Sequence, residues 1–142
     1  MPEPGPNILV ITSHDTGRHF CCYGVDTVHT PSIDALAADG VLFTSMFATA
    51  AVCAPSRGAM MTGRYPQSNG LMEMPKSANV GRSLFPWDWS YREGERHLSH
   101  VLRDVGYHTA LIGFQHEAYH SETLGFCSKH AEMIPWTVRH PA

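Results

Sequence analysis

Four consecutive aliphatic side chains, Ile8-Leu-Val-Ile11, follow a proline-rich start and lead into Thr12, Ser13, His14 and Asp15. An unbroken apolar run of this length suits a strand buried on both faces, the condition of a parallel sheet covered by helices. Residues 7–12 are therefore expected to form the first strand of an α/β sheet. Thr30-Pro31-Ser-Ile-Asp-Ala-Leu-Ala-Ala-Asp39-Gly40 reads as a capped helix, with Thr30 as N-cap, Pro31 at the first helical position and Gly40 past the end. Ile33, Leu36 and Ala37 supply its apolar face. Residues 41–47 return as a strand or extended segment. Residues 64–94, rich in Gly, Pro, Ser, Asn and aromatics, show no sustained period and read as a long loop, either a candidate substrate wall or an aromatic-anchored surface loop. Glu95 to Val105 is amphipathic, with Leu98, Val101, Leu102 and Val105 at helical spacing and Gly106 as the stop. Tyr107 to Ile112 then reads as a second buried strand. This order specifies an α/β fold with a mostly parallel sheet flanked by helices. Ligands in such sheets sit at the carboxyl ends of strands, which directs attention to His14-Asp15, Cys53 and residues 113–116.

At 142 residues, one domain spanning 1–142 is expected, removing roughly two-thirds of the unfolded surface from water. A net charge of -3 without a basic run argues against a nucleic-acid partner. No apolar stretch approaches the ~20 residues of a membrane-spanning helix. The short polar amino terminus lacks the basic and apolar regions of a secretory signal, so the expected location is cytoplasmic. Four cysteines, two of them adjacent, make no Cys-x-x-Cys pair, and reduced thiols are the default. His116-Glu117-Ala-Tyr-His120 has His-Glu-x-x-His spacing but no third ligand downstream beyond His130, so a zinc site is not expected.

The run Cys53-Ala-Pro-Ser-Arg-Gly-Ala-Met-Met-Thr-Gly-Arg-Tyr-Pro66 carries the chemistry. Pro55 and Ser56 suit the first turn of a helix, where proline's missing amide costs nothing. Cys53 would then stand at the helix N-terminus, where free amides and the positive end of the dipole favour an anion. Arg57 adds a charge-assisted, potentially bidentate contact. Met60 and Met61 are expected to face the core and Gly63 to end the helix. An isolated cysteine is more often a small buried hydrophobe. The long motif favours the functional reading.

That block resembles the signature of the type I sulfatases, in which the cysteine of Cys-x-Pro-Ser-Arg is oxidised to formylglycine. Two further blocks resemble the same family in the same order: Pro6-Asn-Ile-Leu-Val with Asp15 shortly after, and Gly106-Tyr-His-Thr-Ala-Leu-Ile-Gly113 with His116. The resemblance implies the amino-terminal part of an alkaline-phosphatase-like catalytic domain, with further metal ligands supplied downstream in such enzymes. It implies hydrolysis of sulfate esters or sulfamates on a sulfated small molecule, carbohydrate or aryl substrate. Hydrated formylglycine made from Cys53 by a formylglycine-generating enzyme would attack sulfur, and its second hydroxyl would release the sulfate. It further implies a divalent metal, Ca2+ or another, held by Asp15, His14 and the modified Cys53, with Arg57 and His116 as catalytic partners. The chain departs from the family in two places. His14 stands where a second aspartate is usual, which weakens a hard-cation site. Gly113-Phe114-Gln115-His116 lacks the usual lysine, leaving Gln115 to offer a neutral hydrogen bond. His14, Phe114 and Ser68-Asn69-Gly70 resemble sulfamidase-like members. The alternative is an inactive chain that at most binds an oxyanion.

Overall fold

The computed structural model describes residues 5–75, 89–118 and 120–130. They fall into two units, Met1–Met46 and Phe47–Ala142.

The first unit contains a 3-10 turn at Cys21–Tyr23 and one helix, α1, at Pro31–Asp39. The helix begins and ends where its caps predict, but Thr30 does not cap it. The Thr30 hydroxyl accepts from the Cys21 N–H at 3.0 Å and donates to Asp34 at 3.2 Å. Asp34 also accepts from the Cys22 N–H at 2.8 Å. These bonds fasten the 3-10 turn to α1. Gly40 closes the helix through its N–H to the Leu36 carbonyl, and a Cβ there would meet that oxygen at 2.9 Å.

The strand expected at residues 7–12 is not formed: they take no part in a sheet among the described residues, and Leu9 and Ile11 are 82% and 79% exposed. Residues 41–47 likewise form no strand. A parallel strand is completed by its neighbours' hydrogen bonds and the helices over it; among the described residues no element supplies either for these runs. The apolar face of α1 is open for the same reason, with Leu36 70% exposed.

In the second unit α2 spans Cys53–Thr62, α3 Pro66–Asn69 and α4 Leu98–Asp104. Strands β1 (Ala110–Ile112) and β2 (Ser128–His130) pair in parallel, Ala110 opposite Ser128 and Ile112 opposite His130. A 3-10 turn at Ser121–Leu124 lies in the crossover between them. The parallel pairing agrees with the expected class, although β1 is shorter than residues 107–112 and Ile112 is exposed. Gly63 terminates α2 in the left-handed region at φ 67°, as expected. The buried face of α2 is Ala54, Pro55, Gly58 and Ala59. Met60 points outward, correcting its assignment to the core. Gly58 permits close packing: a Cβ there would stand 2.8 Å from Leu71 Cδ2 and 3.0 Å from the Tyr91 hydroxyl.

Residues 64–94 were expected to be one loop. They instead contain α3, and residues 76–88 of that expectation lie outside the described residues. Buried Asn69 organises this region. Its Nδ2 donates to Thr62 Oγ1 at 3.1 Å and to the Arg64 carbonyl, its Oδ1 accepts from the Leu71 N–H, and its carbonyl accepts from the Arg92 N–H. Asn69 therefore acts in packing, with no free group to spare for a ligand. Among the described residues, no helix is long and apolar enough to cross a membrane.

Candidate active site around Cys53, Arg57 and His116

The sequence places Cys53 near a helix start, and the structure puts it at the first position of α2. Val52 precedes it in extended conformation and contributes no side-chain cap. The first three amides of a helix have no acceptor within it. Pro55, third in α2, has none to offer. Ala54 is fully buried, so the Cys53 amide is the first-turn donor this end of the dipole can present to an anion. The Cys53 sulfur lies 3.2 Å from the thioether of Met74.

Arg57 follows Cys53 by one helical turn and so shares its side of α2. Its guanidinium lies 5.2 Å from the centroid of the Phe114 ring. Phe114 in turn packs on His116, with ring centroids 4.8 Å apart and planes tilted by 40°. Such a contact holds the guanidinium over the ring face. Arg57, Phe114 and His116 are thus brought together by α2 and the loop that leaves β1. His116 is 3% exposed. Gly113, at φ 91°, turns the chain out of β1 at the start of this loop.

Gln115 does not take the anion-facing role expected of it. Its Nε2 donates to the Ala118 carbonyl at 2.7 Å, and its Oε1 accepts from the Glu117 and Ala118 amides. Both ends of the side chain are consumed in its own turn. Residues 116–118 form bends and not a helix, so the His-Glu-x-x-His spacing does not place its residues on one helical face.

His14 and Asp15 belong to the first unit. Asp15 occupies the left-handed region at φ 53°, and His14 Nε2 lies 3.6 Å from its carboxylate. Among the described residues no group of three His, Cys, Asp or Glu side chains is gathered to hold a metal. Calcium takes six to eight oxygens. One carboxylate beside an imidazole falls well short, so these residues do not by themselves fit the cation that the resemblance implies.

One cluster was not anticipated. Glu117 and His97 are buried side by side, His97 Nε2 3.3 Å from Glu117 Oε2, with side chains 3% and 4% exposed. The Tyr91 hydroxyl donates to the same carboxylate oxygen at 2.5 Å. Burial, followed by the negative charge of Glu117, pushes the Tyr91 phenol far above its ordinary range and keeps it a donor. His97 also caps α4, its Nδ1 accepting from the Ser99 N–H at 3.2 Å, and its ring meets Phe126 edge-on at 5.4 Å. A cleft of about 380 Å³ opens beside this cluster, lined by Tyr91, His97, His100, Glu117 and His120 among others. Cys53, Arg57 and His116 do not line it, so the cleft is distinct from the helix-end site. Only the His-Glu-x-x-His spacing drew attention to Glu117 in the sequence, and for a different chemistry.

A family model described as Sulfatase matches residues 6–134, and the chain belongs to that family. Its fold is accordingly the α/β, alkaline-phosphatase-like class, in a family of sulfuric ester hydrolases. Among its relatives, Arylsulfatase H of Canis lupus familiaris is 42% identical over 113 residues, covering 79% of this chain and 20% of the relative. Human steryl-sulfatase is 38% identical over 129 residues, covering 86% and 21%. The crystal structure of the sulfatase candidate yidJ from Bacteroides fragilis aligns with TM-score 0.58 and 32% identity, covering 72% of this chain and 21% of that one. The chain therefore spans about one fifth of the length of the curated relatives it matches.

Proposed function

We propose that this chain carries the nucleophile-bearing part of a sulfate-ester hydrolase, with Cys53 the residue converted to formylglycine. The observation that carries this reading is the placement of Cys53 at the first position of α2, with Arg57 one turn on and stacked toward His116 through Phe114. The hydrated aldehyde would supply a nucleophilic hydroxyl and, in the second hydroxyl, a route for releasing sulfate that a thiol lacks. The Cys53 amide and the helix dipole would hold the anionic group at the end of α2. Arg57 would share its charge from its place over the Phe114 ring. His116, buried against Phe114, would exchange a proton with the departing oxygen. A divalent cation with Asp15 and His14 among its ligands is proposed on the resemblance alone, since the described donor set does not complete it. A sulfated carbohydrate or an aryl or steryl sulfate is the proposed substrate class, following the activities in the names of the relatives.

A second reading, oxyanion binding without turnover, uses the same amide and Arg57. The deciding test is peptide mass spectrometry across Cys53 on protein co-produced with a formylglycine-generating enzyme. Conversion lowers the peptide mass by ~18 Da. That loss is the expected result; a wholly unmodified Cys53 peptide would overturn the nucleophile assignment and leave the oxyanion-binding reading.

A further inference from the structure

We infer that Glu117 is a positioning residue, which fixes where His116 points by locking the neighbouring backbone to Tyr91 and His97. The inference rests on the proposed role of His116 at the anionic group and extends it to residues outside the motif.

The loop from Gly113 to Ala118 connects β1 to the crossover and has no helix or strand of its own. Gln115 ties this loop to itself, as its side-chain bonds all return to Glu117 and Ala118. Such a self-contained turn sets local shape but not its orientation on the rest of the unit. Beyond the contact of Phe114 with Arg57 and the bond from the Gly113 N–H to the His130 carbonyl, Glu117 supplies the attachment next to His116. Its Oε2 receives the Tyr91 hydroxyl from the 89–95 segment and faces His97 Nε2 at the start of α4. Those anchors are themselves fixed: the Arg92 N–H donates to the Asn69 carbonyl at 2.8 Å, and His97 is held by Ser99, whose hydroxyl donates to the Leu124 carbonyl. Two adjoining segments, both distant in sequence from Glu117, thus converge on one buried carboxylate.

Because His116 is the adjacent residue, drawing Glu117 toward Tyr91 and His97 constrains the direction left to the His116 ring, which lies against Phe114. A buried charge kept next to a candidate site costs desolvation that an apolar packing residue would avoid. Its retention here is explained by orientation, since charge-assisted bonds fix geometry more tightly than apolar contact does.

The test uses the complete 142-residue chain with histidine ring nitrogens labelled, inorganic sulfate as the probe, and the variants Glu117→Gln, Tyr91→Phe and His116→Ala. Glu117→Gln keeps the shape and removes the charge, and Tyr91→Phe removes a single donor. In the unsubstituted chain the His116 ring protons should be displaced by the Phe114 ring current and should move on adding sulfate; His116→Ala identifies those signals. Glu117→Gln is expected to relax the ring-current displacement and weaken sulfate binding about tenfold, the scale of one lost bond to a charged group, with Tyr91→Phe shifting both in the same direction by less. If His116 signals and sulfate affinity are the same in both variants as in the parent, positioning by Glu117 is wrong. If sulfate moves no His116 signal in the parent, the proposed anion role fails, and the ring-current comparison between parent and variants still decides positioning. Should Glu117→Gln fail to fold, Tyr91→Phe decides by the same signals.

Discussion

The two units of the chain treat burial in opposite ways. In the first, residues patterned for an interior are exposed: Leu9, Leu36 and Val41 are 82%, 70% and 78% accessible, and order comes from polar bonds among Cys21, Cys22, Thr30 and Asp34. In the second, the interior is largely polar: Asn69, His97, Ser99, His116, Glu117 and Ser121 are buried alongside Ala54, Ala59, Leu71 and Leu124. An apolar pattern states which surface could be buried, whereas burial itself needs a covering partner. Buried polar groups are retained where each finds a bond.

Substitutions in the two units should therefore behave differently. The largest effect is expected from His97→Leu, which leaves the buried Glu117 carboxylate without its imidazole partner and α4 without its cap; a loss of about 3 kcal/mol is the scale for a lost hydrogen bond to a charged group together with a lost cap. Chemical denaturation checks it, and an unchanged midpoint would place the stability of the second unit elsewhere. Gly58→Ala forces a methyl against Leu71 and the Tyr91 hydroxyl and should cost about 1–3 kcal/mol by overpacking. A neutral result would mean that α2 can shift away from Leu71.

Tyr91 gives the comparison a pH dependence. Its pKa is raised in the folded chain, first by burial and then by Glu117, whereas an unfolded tyrosine phenol ionises near its ordinary value of about 10. The folded state thus holds a proton that the unfolded state releases above that pH. Stability should be intact below pH 10 and decline above it, by up to about 1.4 kcal/mol per pH unit. Denaturation midpoints across pH 9–11 measure this slope, and Tyr91→Phe should remove its contribution. In the first unit, Asp34→Ala removes the acceptor shared by the Cys22 amide and the Thr30 hydroxyl and should cost about 1 kcal/mol, read as faster hydrogen exchange in residues 21–34. The smallest effect belongs to Leu36→Ser, expected within about 0.5 kcal/mol because the side chain is exposed. A larger loss would show that this face is covered in solution.

Local signals fared well wherever one residue type does one local job. Pro31 and Gly40 bracket α1, Gly63 ends α2, and α4 lies within the expected 95–105, beginning later because His97 caps it. Thr30 has a capping residue's identity, but its hydroxyl is diverted to Cys21 and Asp34, which no local pattern reveals. β2 escaped notice because Ser128-Lys-His130 is polar throughout and carries no alternation. The motif residues Cys53, Arg57 and His116 were legible through the family resemblance, and Phe114 as a departure from it. The bridging of Arg57 to His116 by Phe114 needed coordinates. The Tyr91, His97 and Glu117 cluster gathers three segments, and nothing in the spacing of any one of them announces it.

The parallel pairing of β1 with β2 also bears on the order of events in folding. Ala110 can meet Ser128 only after residues 111–127 have been gathered, and the entropy of closing that segment is lost before the ladder returns anything. α1 and α2, by contrast, form through contacts between near neighbours. The segment bearing His116 is therefore expected to close in a non-local step, later than the local turns of α2. A nascent chain would then display Cys53 before the loop bearing His116 closes, and the conversion proposed for Cys53 would have that interval in which to occur.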